Sequence, residues 1–94
     1  MANYPSVEAL EGAHSFPGPY TLKVFGVHEQ HFIDSVHREV KNILEAEDRY
    51  ETDLRPSSKG TYCAVQVNVQ AKSAEEVQAL YVALSDIEGL KTLL

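Results

Sequence analysis

Apolar and polar residues alternate along two stretches of the chain, and each stretch predicts a strand with one buried side. Residues 20–25 form the first of these strands, which Gly26 closes. Residues 62–71 form the strongest strand, and its strict alternation is typical of a sheet covered on one face only. A weaker strand is predicted over residues 50–55 and a short last one over residues 90–94. The apolar side of the strongest strand carries Cys63, Val65, Val67, Val69 and Ala71.

Two other stretches repeat their apolar residues every three to four positions, which predicts two helices. The first covers residues 29–47, and its stripe is Phe32, Ile33, Val36, Val40, Ile43 and Leu44. Because Glu45, Glu47 and Asp48 oppose the helix dipole, we expect this end to fray. The second helix begins with a capping box from Ser73 to Glu76 and is predicted to end at Gly89.

The predicted order is therefore β-α-β-β-α-β, an α+β fold. Right-handed crossovers give a ferredoxin-like sandwich, a four-stranded antiparallel sheet with two helices on one face. Residues 1–15 are predicted to be a flexible N-terminal leader, in which Ser6 caps a short helical turn that Gly12 ends. Residues 16–94 are predicted to be a single domain.

Charge narrows the set of partners. The 94 residues include 8 Lys and Arg against 14 Asp and Glu, a net charge of −6. Such a field repels phosphate backbones and anionic lipids, so we expect no nucleic acid and no membrane as partners. One cysteine excludes an intramolecular disulfide framework. With no long apolar run and no secretory signal pattern, the sequence predicts a cytoplasmic protein.

The first candidate site is the loop after the first strand. No Ser, Thr, Asp or Asn stands at the start of the helix that follows, so its leading N–H groups are predicted to be free. Free N–H groups at a helix start hold anions, which favours a carboxylate-bearing ligand here. The alternative is that Gly26 only makes a turn and water satisfies the amides. The candidate residues are Gly26, Val27 and His28.

The second candidate site is the turn after Pro56, which packs two hydroxyls, one cation and a glycine together. Such a turn is able to cradle a phosphate or a carboxylate. It lacks the glycine-rich loop and following helix of a nucleotide-binding P-loop. The alternative is an ordinary hairpin turn. The candidate residues are Ser57, Ser58, Lys59 and Gly60.

The sheet face without helices, called here the uncovered face, is the third candidate. It is predicted to carry Thr21, Lys23, Phe25, Tyr62, Ala64, Gln66, Asn68 and Gln70. This composition suits a solvated surface, a homodimer contact or the docking of a partner protein. Pairing of two sheet edges is another route to a homodimer. The candidate interface residues are Phe25, Tyr62, Gln66 and Asn68.

Other chemistries find no support in the residues. His28, His31 and His37 are spaced along a helix, but no second cluster completes a metal site, so no metal and no cofactor are predicted. Cys63 is predicted to be a buried structural thiol. An RNA-recognition signature would need aromatic residues after Lys59 that are in register, and Tyr62 is out of register.

Three pieces of the chain resemble the YbeD-like family of small bacterial proteins of unknown function. They are Phe-Pro-Gly-Pro-Tyr at residues 16–20, Arg-Pro-Ser-Ser-Lys-Gly-Thr-Tyr at residues 55–62 and Glu-Glu-Val-Gln-Ala-Leu-Tyr at residues 75–81. The family's fold is similar to the ACT domain, a regulatory module that binds small metabolites, often amino acids, between paired copies. The resemblance implies an ACT-like domain over residues 16–94, with a ligand near the loop at Gly26, Val27 and His28.

These observations lead to a prediction of a non-catalytic, ACT-like regulatory module that binds a small anionic metabolite or a protein partner. One alternative is an interaction adaptor without a small ligand. The other is a small enzyme with its site at a dimer interface, which the lack of any convergent acid, base or nucleophile set disfavours.

Overall fold

Seven elements follow one another in the computed structural model, which describes residues 4–46 and 48–94. In chain order they are α1 (Val7–Ala13), β1 (Gly18–Val27), α2 (Gln30–Leu44), β2 (Tyr50–Pro56), β3 (Tyr62–Ala71), α3 (Ala74–Ser85) and β4 (Leu90–Leu93). From β1 onward the order is the predicted β-α-β-β-α-β. Helix α1 precedes it.

The four strands form one sheet in the order β2-β3-β1-β4, and every neighbouring pair is antiparallel. Strands β1 and β3 lie in the centre and pair over ten residues, from Gly18 opposite Ala71 to Val27 opposite Tyr62. Strands β2 and β4 form the two edges. The predicted α+β, ferredoxin-like and ACT-like sandwich is thus confirmed.

The core lies between the helices and one side of the sheet. Burial alternates along β3, so its valines are buried while the residues between them remain partly or fully exposed. Each fully buried apolar side chain contributes roughly 1.5–3 kcal/mol. The predicted one-sided sheet is therefore present, and the uncovered face is its other side. The fully buried side chains include Leu22, Val24, Phe32, Val36, Val40, Val65, Val67, Val77, Leu80 and Leu84.

Several predicted element ends require correction. Strand β1 covers Gly18–Val27 instead of residues 20–25, so Gly26 lies within the strand and does not close it. Helix α2 ends at Leu44, because Glu45 adopts a left-handed conformation (φ 56°) and its N–H donates to the Lys41 carbonyl. Glu47, the predicted end, lies outside the described residues. Helix α3 ends at Ser85 rather than at Gly89. Gly89, with a φ of 92°, belongs instead to the turn that leads into β4.

The N-terminal segment contains the predicted cap. The Ser6 hydroxyl accepts a hydrogen bond from the Ala9 N–H at 3.1 Å, and α1 continues past Gly12 to Ala13. Leu10 is 2% exposed and belongs to the core. Residues 1–3 lie outside the described residues, and the flexibility of the leader stays a prediction. None of the helices within residues 4–46 and 48–94 is long and apolar enough to cross a membrane.

Candidate functional site

A shallow apolar groove of about 560 Å³ lies on the uncovered face, at the end of the sheet next to the β2–β3 turn. Its floor is a row of cross-strand neighbours that runs from β2 to β4: Arg55, Ala64, Phe25 and Thr92. Ala64 is the smallest of these residues, and it leaves space between its larger neighbours. Tyr62 and Leu94 also line the groove, and they are 46% and 60% exposed.

A β-bulge in β4 brings Lys91 to this groove. Thr92 lies opposite Phe25 and Leu90 lies opposite Gly26, so Lys91 is the extra residue between them. In a regular ladder Lys91 would oppose Gly26 and face the core. With the bulge, Leu90 packs against the core, and the Lys91 ammonium lies 5.7 Å from the centroid of the Tyr62 ring.

Arg55 supplies a second cation to the groove, from β2. Its Nε donates to a carboxylate oxygen of Asp53 at 3.0 Å. The two side chains are 74% and 52% exposed, so this pair adds little stability. Because the contact uses only Nε, the other guanidinium N–H groups remain for a ligand.

The electrostatics of this end of the sheet differ from those of the whole chain. Half of the eight Lys and Arg residues, Lys23, Arg55, Lys59 and Lys91, belong to the uncovered face, its rim or the adjoining turn. Two carboxylates of β2, Glu51 and Asp53, lie on the same face; Asp53 contacts Arg55, but neither carboxylate lines the groove. The groove is therefore bordered by positive charge in a chain whose net charge is −6.

The β2–β3 turn is a hairpin turn held by its own backbone. The Ser57 N–H donates to the Tyr62 carbonyl at 2.8 Å, and the Gly60 N–H donates to the Ser57 carbonyl at 3.0 Å. The Ser57 hydroxyl accepts from the Tyr62 N–H at 3.2 Å. Ser57 lines the groove, whereas Ser58, Lys59 and Gly60 are exposed outside it. Binding at these three residues stays a prediction.

The loop after β1 differs from the expectation of free amides. The Val27 N–H donates to the Gly89 carbonyl and the His28 N–H to the Thr61 carbonyl, both at 3.0 Å. The missing side-chain cap of α2 is confirmed, since Glu29 makes no capping hydrogen bond. Carbonyls from other segments thus occupy the Val27 and His28 amides, while an anion at the first N–H groups of α2 stays a prediction.

Contacts join the two sequence-predicted ligand sites. Nδ1 of His28 lies 3.2 Å from the Gly60 carbonyl oxygen, so the loop after β1 packs beside the β2–β3 turn. Gly26 lines the groove from β1. Whether His28 or Val27 contacts a ligand stays a prediction.

The candidate interface residues divide into two groups. Phe25 and Tyr62 line the groove, while Gln66 and Asn68 lie farther along the uncovered face. The side-chain Oδ1 of Asn68 accepts a hydrogen bond from the Thr21 hydroxyl at 2.7 Å. Sequence reasoning missed Arg55, Lys91 and Leu94. The hairpin turn was the signal for the position of Arg55, but nothing in the sequence marks the bulge.

Cys63 is among the residues that line the groove, and it carries a thiol. The residue is 3% exposed, and its Sγ lies 3.7 Å from the Val27 carbonyl oxygen. Burial raises the pKa of this thiol, so it stays protonated at neutral pH and is a poor nucleophile. Within residues 4–46 and 48–94, no three His, Cys, Asp or Glu side chains come together to hold a metal ion.

Comparison with solved structures identifies a similar fold. The solution structure of protein HP0495 from H. pylori matches with a TM-score of 0.67 and covers 98% of this chain and 97% of that one. At 13% sequence identity, this match concerns the fold alone.

Comparison with known sequences identifies relatives over most of the chain. A UPF0250 protein of Cronobacter sakazakii is 35% identical over 79 residues, which cover 84% of this chain and 88% of that protein. UPF0250 protein IL0958 of Idiomarina loihiensis is 37% identical over 81 residues, with the same coverage. The family model described as "Protein of unknown function (DUF493)" matches residues 11–94. These matches confirm the resemblance seen in the sequence, and the chain belongs to this DUF493 family of proteins of unknown function.

Proposed function

We propose that this chain is a non-catalytic binding module whose groove holds a small anionic metabolite with an apolar body. The observation that carries the proposal is an apolar groove bordered by two cations, Arg55 and Lys91, in a chain of net charge −6. Uniform acidity would repel such a ligand, whereas local positive charge attracts it.

The groove offers each part of such a ligand a matching surface. Phe25 and Ala64 provide an apolar floor, on which an apolar body displaces water and gains about 25 cal/mol for each Å² buried. Lys91 provides a point charge at one side, and Arg55 provides a planar guanidinium that matches a carboxylate. Because the groove is open to water, we expect a dissociation constant from about 1 µM to about 1 mM.

The polar groups at the groove support binding better than catalysis. Arg55, Lys91, Ser57 and Thr92 bind anions or hydroxyls, and the nearby thiol of Cys63 is protonated and faces the core. Nucleophilic catalysis would need an activating base beside its nucleophile. In the ACT-like interpretation, occupancy of the groove would regulate a partner protein.

A titration followed by NMR tests this proposal. The probes are phenylpyruvate, leucine and octanoate, each compared with the uncharged amide of the same carbon skeleton. We expect an acid to move the amide signals of Phe25, Tyr62 and Ala64, and its amide analogue to bind more weakly. Lys91→Ala should weaken binding about tenfold, the effect of losing about 1.4 kcal/mol from a charge-assisted contact.

The control is Arg38→Ala, which removes one positive charge from α2 on the other side of the molecule. It should leave the affinity unchanged. If no probe moves these signals at about 10 mM, the affinity is weaker than the expected range and the metabolite proposal is overturned. Equal affinities of the wild-type protein and Lys91→Ala would also overturn the proposed site.

A further inference from the structure

The outer edge of β2 carries an exposed apolar residue. Leu54 lies opposite Val65 and points to the helix side of the sheet, where Val65 is 1% exposed. Leu54 itself is 42% exposed, because it stands on an edge strand that the helix layer does not cover. Covering this leucine with another surface would remove its apolar side chain from water, which is favourable.

The backbone of the same edge is open to a further strand. The Gln70 N–H donates to the Arg49 carbonyl, and the Ser57 N–H donates to the Tyr62 carbonyl. The backbone N–H and C=O groups of the odd-numbered residues of β2 therefore form hydrogen bonds to β3. By the alternation of an antiparallel ladder, the N–H and C=O groups of Thr52 and Leu54 point outward.

Charges flank Leu54 in a self-complementary order. Asp53 and Arg55 are its two neighbours, and both side chains are on the uncovered face. If two copies of β2 lie antiparallel with Leu54 on the two-fold axis, Asp53 of each copy stands opposite Arg55 of the other. Directly opposed side chains have Cβ atoms about 5 Å apart, close enough for an ion pair.

Neighbouring registers are less favourable. With Asp53 on the axis, Arg55 again faces a carboxylate, Glu51 of the other copy, but the two aspartates at the centre oppose each other. With Thr52 on the axis, Asp53 opposes Glu51 of the other copy. Like charges opposite each other destabilise a strand pair, so the charge pattern selects the register centred on Leu54.

From these observations we propose that two copies of this chain pair antiparallel through β2, centred on Leu54, into one eight-stranded sheet. Each Leu54 N–H donates to the other Leu54 carbonyl, and each Thr52 N–H donates to the other Pro56 carbonyl. The two Leu54 side chains meet on the helix side. This inference is independent of the proposed metabolite site. The dimer is measured as mass in solution without any ligand, and the metabolite site is measured as ligand affinity.

Sedimentation velocity over a concentration series up to about 1 mM, where a weak complex is populated, tests the pairing. The wild-type protein should shift with concentration toward twice the chain mass of 10.5 kDa. Leu54→Lys should remain at 10.5 kDa. Val82→Lys is the matched control, because Val82 is 43% exposed and lies on α3. It should dimerise like the wild-type protein.

Charge reversal tests the register independently of the apolar contact. Asp53→Arg and Arg55→Asp should each prevent dimerisation, because each single change places like charges opposite each other across the two-fold axis. The double variant should restore dimerisation, because the two charges have then exchanged positions and opposite charges face each other again. Far-ultraviolet circular dichroism checks that each variant is folded. A wild-type protein that is monomeric at every concentration, a dimeric Leu54→Lys variant or a double variant without rescue would each overturn the proposal.

Discussion

Gly26 lies directly against the ring of Phe32, and a Cβ built on Gly26 would overlap that ring. The same Cβ would stand 2.6 Å from the Gly89 carbonyl oxygen. Since the φ of Gly26 is not among the positive ones, the position requires space rather than a special backbone conformation. The missing side chain lets β1, the start of α2 and the turn before β4 meet at one point.

Gly26→Ala should therefore destabilise the protein by about 1–3 kcal/mol, the usual cost of overpacking a tight core. The measurement is the urea midpoint followed by circular dichroism. Gly12→Ala is the matched control, because a Cβ at Gly12 meets no atom within 4 Å and the residue lies in helix α1. The control should gain about 0.5–1 kcal/mol. Equal stabilities of the Gly26 variant and the wild-type protein would contradict the packing argument.

Gly26 also shows where sequence reasoning stops. Its position after an alternating strand indicated a turn, but the strand continues through it to Val27. The strand continues because Gly26 and Val27 pair with Cys63 and Tyr62 of β3. The glycine itself is required by the ring of Phe32, and the sequence does not show what that ring covers. Local periodicity predicted β3 with its observed bounds, because alternation depends only on nearest neighbours.

The groove depends on relationships that no local pattern contains. Arg55 and Phe25 meet across Ala64 only because β2 and β1 flank β3 in a particular register. Lys91 reaches Tyr62 because a β-bulge turns its side chain from the core side of the sheet to the uncovered face. Nothing in the sequence indicates that bulge. The face that carries the groove was thus predictable, whereas its cationic border was not.

The N-terminal segment gives a second prediction. Leu10 is 2% exposed in the core, while residues 1–15 were predicted to be a flexible leader. Leu10→Ala should cost about 2–5 kcal/mol if its contacts persist in solution, as for other buried leucines. Urea unfolding measures this loss, and Val82→Ala, at an exposed position of α3, should change stability little. A loss near zero for Leu10→Ala would instead support the flexible leader.

The Arg49–Glu76 pair ties three elements together. Arg49 donates to the Leu44 carbonyl at the end of α2, to the Gln70 carbonyl of β3 and to the Glu76 carboxylate in the first turn of α3. The carboxylate also accepts from the Lys72 N–H at 2.9 Å. The two side chains are 19% and 14% exposed, so this pair is better shielded from water than the others on the surface.

Glu76 should make the stability of the protein depend on pH. Burial alone would raise the pKa of its carboxyl, but the hydrogen bonds from Arg49 and Lys72 outweigh burial and hold the pKa below the usual value. A carboxyl with a lowered folded-state pKa stabilises the fold above its unfolded pKa, about 4.3. That contribution is lost as the pH falls through the folded-state pKa.

Glu76→Gln should therefore lower the free energy of unfolding by about 2 kcal/mol at pH 7, the scale of charge-assisted hydrogen bonds. The difference from the wild-type protein should shrink below about pH 4, as the wild-type carboxyl becomes protonated. Urea unfolding at pH 7 and pH 3 measures both values. Glu75→Gln, at the exposed neighbouring position, is the matched control and should change little at either pH. If Glu76→Gln lowers the free energy of unfolding equally at pH 7 and pH 3, its effect comes from packing and capping and not from charge.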